Sequence, residues 1–320
     1  MLDADVEVDR RSFAVRAALS VGAGERVALF GPSGAGKTTV LEAIAGLVPI
    51  RRGFVSLGSR SLDGVPPWRR RIGLLRQDPG LFPHLSVRDN LLYGASSDES
   101  LAPIAAELGI DGLLGAMPAR LSGGQAHRVA LGRLLLAHCD ALLLDEPYSG
   151  LDAGLRRTLT GLVVSLVVER SVPAVLVAHE LADAQAFADR LLVLDGGSVV
   201  QSGSPSSVVR RPASRRVASL VGYLGFVASD SGVAGVHPER VMAGAHPSRG
   251  LVLSGVVSAL RPAGAGWEAD LRVSDTVVTC RLPEQPPGTE IDVTVLDPPY
   301  FGPDGAAISP VSSERSRLDP

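Results

Sequence analysis

The stretch Arg26-Val27-Ala28-Leu29-Phe30-Gly31-Pro32-Ser33-Gly34-Ala35-Gly36-Lys37-Thr38-Thr39 decides the fold. Its apolar half reads as a buried strand, its middle as a glycine-rich turn, and its end as the start of a helix running through Leu47. Gly31 to Thr38 fits the P-loop pattern G-x-x-x-x-G-K-[ST] in the strand–turn–helix context that the motif requires. The glycines let the backbone wrap around phosphate oxygens, and the helix start offers free N–H groups with a favourable dipole. Lys37 is then expected to reach the β- and γ-phosphates and Thr38 to ligate Mg²⁺. The rival dinucleotide reading needs G-x-G-x-x-G, which is not the spacing here.

Lysine and arginine total 31, and Lys37 is the sole lysine. That site calls for a compact ammonium on a flexible stem rather than a planar fork. The 320 residues suit two domains, and 45% hydrophobic content supplies a packed core. A net charge of -3 gives no case for nucleic-acid binding, and the Arg69-Arg70-Arg71 run is expected to be solvated surface. Cys139 and Cys280 are expected to be reduced cytosolic thiols rather than a disulfide or metal set. Met1 to Arg11 lacks an apolar leader core, and runs such as Leu162 to Val168 fall short of the ~20 residues that span a bilayer, so a soluble protein is expected.

Outward from the loop, strands are expected at 72–75, 141–144, 174–178, 191–194 and 198–201, the last two joined at Gly196-Gly197 as a hairpin. Helices are expected at 101–117, 124–138 and 153–169, which makes an α/β fold with a parallel sheet. From 250 onward the segments 251–260, 267–273, 276–282 and 290–296 alternate like strands. In the last, Ile291, Val293 and Val295 should face one side, with Asp292 and Thr294 opposite. This predicts a small all-β domain of the five-stranded barrel type. Ala141 to Pro147 puts Asp145 and Glu146 at the C-terminal end of an apolar strand, where α/β sheets bind ligands. Downstream of a P-loop, Asp145 suits the Mg²⁺ shell and Glu146 suits a general base acting on water.

Leu121-Ser122-Gly123-Gly124-Gln125 resembles the signature motif of ABC ATPases. The other elements follow in that family's order. Gln77 looks like the Q-loop glutamine that senses Mg²⁺ and the attacking water, Ser149-Gly150-Leu151-Asp152 like the D-loop, and His179 like the switch histidine on the γ-phosphate. The resemblance covers residues 1 to about 220. It implies a P-loop NTPase fold with a helical subdomain, acting on ATP with Mg²⁺ as a head-to-tail homodimer. The P-loop of one protomer would face Ser122, Gly123, Gly124 and Gln125 of the other. It further implies integral membrane permease partners docking on Leu81 to Tyr93, and an extracytoplasmic substrate-binding protein acting indirectly. The location would be peripheral, on the cytoplasmic face of the membrane. Many members stack an aromatic on adenine; here Phe13 stands nearby, either in that role or in a core strand. Ala126-His127 and Gly150 depart from the commoner residues of the family.

Gly235-Val236-His237-Pro238-Glu239-Arg240-Val241 resembles the start of the TOBE-type region of importer ATPases for molybdate, sulfate, iron, polyamines and sugars. The expected division is an ATPase domain at 1–220, a linker at 221–234, an OB-like regulatory barrel at 235–310 and a disordered tail at 311–320. The stretches Pro67 to Gly73 and Leu81 to Val87 look most like molybdate uptake ATPases, with ferric iron, polyamine or sugar import as the alternatives. A non-transport ABC ATPase is the rival class. It is disfavoured by the lack of heptads between 48 and 120 and by the single ATPase module.

Overall fold

The computed structural model describes residues 1–10, 13–263, 266–285 and 287–309. The chain divides into two compact units, Met1–Pro205 and Ser206–Pro320. The expected tail at 311–320 lies outside the described residues.

The first unit is built on ten strands: β1 (Leu2–Asp9), β2 (Ala14–Val21), β3 (Arg26–Phe30), β4 (Arg52–Leu57), β5 (Arg60–Ser61), β6 (Ile72–Leu75), β7 (Ala141–Asp145), β8 (Ala174–Val177), β9 (Arg190–Asp195) and β10 (Ser198–Gly203). They form one sheet in the order β5-β4-β1-β2-β10-β9-β3-β8-β7-β6. The expected parallel sheet is only half of it. β6, β7, β8, β3 and β9 run parallel, but β1, β2, β4 and β5 pair antiparallel. The burial patterns give the reason. β7 and β8 are buried on every residue, as strands covered on both faces must be, whereas β1 alternates buried and accessible positions. Leu2, Ala4, Val6 and Val8 point inward from β1 and join the core around Val27, Leu29, Val40 and Ile44.

Helix α1 (Lys37–Ala45) leaves the P-loop and packs against this sheet. Its C-terminal carbonyls are met by Arg70, whose Nη1 donates to Ile44 O at 2.8 Å while its Nε donates to Val65 O at 2.9 Å. Arg70 is 6% exposed, so the middle of the arginine run is interior rather than solvated surface, because it satisfies orphan carbonyls at a helix end. Burial pushes its guanidinium below its ordinary pKa, with Asp63 acting the other way. Arg70→Met is expected to lower unfolding stability by about 1–3 kcal/mol, because these carbonyls would be left unpaired. Denaturant titration checks this.

A helical layer follows β6: α2 (Val87–Leu92), α3 (Leu101–Glu107) and α4 (Gly123–Leu136). The helix expected over 101–117 stops at Glu107. Gly109, at φ 60, follows it, and a short 3₁₀ turn takes over at Asp111–Leu113. Buried Asn90 accepts from Phe82 N at 2.8 Å and donates to Leu85 O at 3.1 Å, tying the segment from Leu81 to α2. Then come α5 (Ala153–Arg170) between β7 and β8, and α6 (Leu181–Phe187) between β8 and β9.

The second unit begins with α7 (Pro205–Arg210) and α8 (Arg215–Leu220) and continues as β11 (Gly225–Ser229), β12 (Gly232–Val236), β13 (Val241–Ala243), β14 (Gly250–Ala263), β15 (Gly266–Val273), β16 (Thr276–Leu282), β17 (Glu290–Leu296), β18 (Tyr300–Phe301) and β19 (Ala307–Ile308). Five of these make an antiparallel sheet in the order β13-β17-β14-β15-β16, and β13 comes back against β16, giving the expected small barrel. A four-stranded sheet, β11-β12-β18-β19, accompanies it. The stretch 221–234 expected as a linker is therefore largely strand. Thr294, expected on the outer face of β17, is fully buried. The loop after β13 covers it, and its hydroxyl donates to Gly244 O and accepts from His246 N, both at 2.8 Å.

Candidate functional site

β3 delivers the chain into Gly31 to Gly36, and α1 takes it away at Lys37. Gly31 adopts φ +150, and a Cβ there would sit 2.0 Å from the Leu194 carbonyl oxygen on β9. The loop is thus pressed against a neighbouring strand with no room for a side chain. Lys37 is 7% exposed, and its Nζ donates to the carbonyls of Gly31 at 2.8 Å and Pro32 at 2.9 Å. Burial pushes its ammonium below the usual lysine pKa, while the carboxylates of Glu146 and Asp145 pull it back up. Pro32, Ser33, Gly34 and Ala35 form the turn, and Gly34, at φ +80, has open space beyond its Cα. An accessible turn at a helix N-terminus with an ammonium held beside it suits a polyphosphate.

The end of β7 meets this loop. The Thr38 hydroxyl donates to Asp145 Oδ1 at 3.1 Å. Burial raises the Asp145 carboxyl; the Thr38 hydrogen bond opposes this, and the neighbouring Glu146 adds to it. A hydroxyl and a carboxylate oxygen side by side are the hard oxygen donors a Mg²⁺ ion takes. Glu146 follows at φ 51, a left-handed conformation that costs a non-glycine residue of order 1 kcal/mol or more. Its N–H bonds Val177 O at 3.2 Å, which locks that turn onto β8.

Glu146, Ser149, Gly150 and His179 line one cavity of about 320 Å³. His179 sits exposed between β8 and α6. Glu146 and His179, expected to act together, therefore reach one space from two separate segments. Gln77 is exposed just beyond β6, and no contact ties it to Thr38 or Asp145 among the described residues.

Other candidates have work within their own chain. Ser122 is the N-cap of α4, with its Oγ accepting from Gln125 N at 3.3 Å, while Ser122 N donates to Gln125 Oε1 at 2.8 Å. This capping box leaves Gly123 and Gly124 as the first residues of the helix, with nothing in the space a side chain would fill. Asp152 caps α5, its Oδ1 accepting from Leu155 N and Gly154 N at 3.0 Å each, and these bonds hold its carboxyl below the usual range. Phe13 is 37% exposed, so it is no core residue; its ring lies over Gly197 in the β9–β10 turn. His127, one of the departures from the family pattern, is buried, and burial pushes its imidazole below its ordinary pKa against the hydrogen bond it donates to the Pro147 carbonyl.

Two arginines escaped the sequence reading. Arg10 Nε donates to Thr39 Oγ1 at 2.8 Å and its Nη2 pairs with Glu42 at 3.2 Å, so it reaches the first turn of α1 from 29 residues upstream. Arg156 lines the cavity of Glu146 and His179. Neither belongs to a motif. Their partners come from distant segments, so no local spacing flags them.

Residues 15–149 match the family model described as ABC transporter. The sn-glycerol-3-phosphate import ATP-binding protein UgpC of Vibrio vulnificus is 41% identical over 212 residues, 64% of this chain and 57% of that protein, so the matched stretch spans little more than half its length. UgpC of Rhodopseudomonas palustris is 33% identical over 331 residues, covering 93% of this chain and 90% of that one. The sulfoquinovosyl glycerol transport ATP-binding protein of Agrobacterium fabrum is 36% identical over 283 residues, 81% and 78% of the two chains. Among solved structures, an ATP-binding subunit of an ABC transporter matches with a TM-score of 0.61 at 27% identity, covering 66% of this chain and 92% of that one. A dimeric post-hydrolysis ATP-binding cassette bound to ADP and Pi matches at 0.56 and 27%, covering 64% and 99%.

Proposed function

This chain belongs to the ABC transporter family, among the ATP-binding proteins of importers, and from that premise we propose that it hydrolyses ATP to drive uptake of an anionic glycerol or sugar derivative. The observation that carries the hydrolysis is the shared cavity of Glu146 and His179, beside a P-loop whose Thr38 and Asp145 are already hydrogen-bonded. Lys37 exchanges its two loop carbonyls for phosphate oxygens, which offer the stronger charge-assisted bonds. Glu146 takes the proton of the attacking water, and His179 holds the terminal phosphate from the far side of the cavity. Thr38, Asp145 and Gln77 would hold a Mg²⁺ ion, which would supply charge neutralisation for the phosphate oxygens. Gly31 to Thr39 hold the polyphosphate, and Phe13 is the candidate contact for the base.

In this reading Ser122, Gly123, Gly124, Gln125 and Asp152 meet the nucleotide of a second copy of the chain. The dimeric, ADP-bound relative supports that assembly. No helix among the described residues is long and apolar enough to cross a membrane. Peripheral attachment through permease subunits at the cytoplasmic face follows from the import role, with a binding protein delivering cargo from outside. The 206–309 unit is assigned a regulatory role rather than a catalytic one.

For cargo, the two relatives that extend well beyond the cassette act on sn-glycerol-3-phosphate and sulfoquinovosyl glycerol by name, both anionic polyols. They give no support to molybdate and favour the sugar-type alternative. The test is ATP turnover by the chain reconstituted in proteoliposomes with its permeases and binding protein. sn-Glycerol-3-phosphate is expected to stimulate turnover and molybdate to leave it at the basal rate. Stimulation by molybdate alone would reverse the cargo assignment, and absence of any Mg-ATP turnover would remove the hydrolysis itself.

A further inference from the structure

We propose that Arg156 is a positioning residue that fixes the backbone carrying His179 by clamping the start of α6 to the start of α5. The proposal rests on the ATPase reading above and adds to it a residue outside every nucleotide motif.

Arg156 stands on the first turn of α5, and its own N–H donates to Asp152 O at 2.9 Å. It is therefore rigidly referenced to the loop that ends in Asp152. Its Nη1 donates to Glu180 Oε2 at 2.6 Å and to Asp183 Oδ1 at 3.4 Å. Glu180 directly follows His179 and is the N-cap of α6, yet its side chain caps nothing. The carboxylate that could have closed its own helix is spent on Arg156 instead. Asp183, on the first turn of α6, is the second ligand of the same guanidinium, and its side chain is only 14% exposed. So one guanidinium nitrogen holds two carboxylates that flank the exit from His179.

The cluster is not remote from the chemistry. Arg156, Glu180 and Asp183 line the same cavity as Glu146 and His179. Two consequences follow. First, His179 sits in a short connection between β8 and α6, and such a connection keeps its geometry only if the helix start is held. Second, Glu180 and Asp183 bring two negative charges to a space meant to receive a polyanion. Arg156 offsets them, and without it their field would oppose the terminal phosphate. Its side chain bonds Glu180 and Asp183 and not His179 among the described residues, so it acts through the two carboxylates.

The experiment uses the full chain with Mg-ATP. Arg156→Met is expected to slow single-turnover hydrolysis by about 10–100-fold, the scale of a misplaced catalytic group. The Kd for ATP should stay within about two-fold of wild type, because the phosphate cradle is untouched. Arg156→Lys should recover most of the rate, since an ammonium still pairs both carboxylates. In a His179→Ala background, adding Arg156→Met should slow the reaction no further, since a residue acting through His179 has nothing left to position. Should Arg156→Met melt early, Glu180→Gln carries the same test by removing the partner instead of the cation, and it too should lower the rate without weakening ATP binding. A wild-type rate in both variants overturns the proposal. So does a full multiplicative loss on top of His179→Ala, or a Kd that rises as much as the rate falls. If wild type itself turns over no Mg-ATP, the ATPase reading falls and the proposal with it; normal wild-type turnover beside an unaltered Arg156→Met rate removes only the role of Arg156.

Discussion

Glu146→Gln should slow ATP hydrolysis by roughly 10²–10⁴-fold while ATP still binds. The amide keeps the size and much of the hydrogen bonding of the side chain but cannot accept the proton of the attacking water. Lys37 and Thr38 lie on another segment, and Asp145, next to Glu146 in sequence, keeps its hydrogen bond from Thr38, so the cradle is expected to persist. Because ATP would persist, the variant should also accumulate as an ATP-dependent dimer if Ser122 to Gln125 act across copies. Sedimentation with and without Mg-ATP reads the dimer, and single-turnover kinetics read the rate. Near-normal turnover would remove Glu146 from its role, and a monomer at saturating ATP would count against the two-copy site. The left-handed backbone at Glu146 sharpens the expectation. Glu146→Gln keeps the unbranched side chain on the same left-handed backbone, so the variant tests the chemistry alone.

Gly31→Ala carries the second large effect, on folding. The new methyl would lie 2.0 Å from the Leu194 carbonyl oxygen, and the backbone at φ +150 is closed to L side chains. A clash with the backbone of a central strand cannot be relieved by a rotamer change. A loss of about 3 kcal/mol or more is expected, at the high end of single substitutions. Chemical denaturation checks it, and a loss under 1 kcal/mol would mean that β9 yields more readily than its packing suggests. By contrast, Gly34→Ala meets open space and suffers only the dihedral penalty, so it should be far milder.

What could be read from the sequence divides along a physical line. Strands buried on both faces, such as Ala141–Asp145 and Ala174–Val177, announce themselves as unbroken apolar runs, and the acidic pair follows from where the first of them ends, whereas His179 comes only from its order in the family resemblance. Leu2–Asp9 is just as regular, with inward Leu2, Ala4, Val6 and Val8, but its outward residues are Asp3, Asp5, Glu7 and Asp9. The charges hid the alternation, and with it the antiparallel half of the sheet. Arg70 was missed for a related reason. Three consecutive arginines look like surface until the end of α1 is seen to need donors from outside its own segment. Ser122, Gln125 and Asp152 were legible as motif residues, but their capping bonds became visible only once the helices they start had been located. Gln77 lies in an exposed bend after β6 and, among the described residues, makes no hydrogen bond to Thr38 or Asp145.

Lys37 has a consequence outside catalysis. It is the one lysine among 320 residues, and it is 7% exposed with its nitrogen tethered to two carbonyls. For an amine-directed acylating reagent the protein therefore offers one side-chain target, shielded at rest and shielded again once phosphate takes the place of those carbonyls. Reaction is confined to the interval between the two tethers. An adduct mapped to Lys37, as distinct from one on the exposed Met1 α-amine, thus counts the molecules caught with an open phosphate loop, with no background from other lysines.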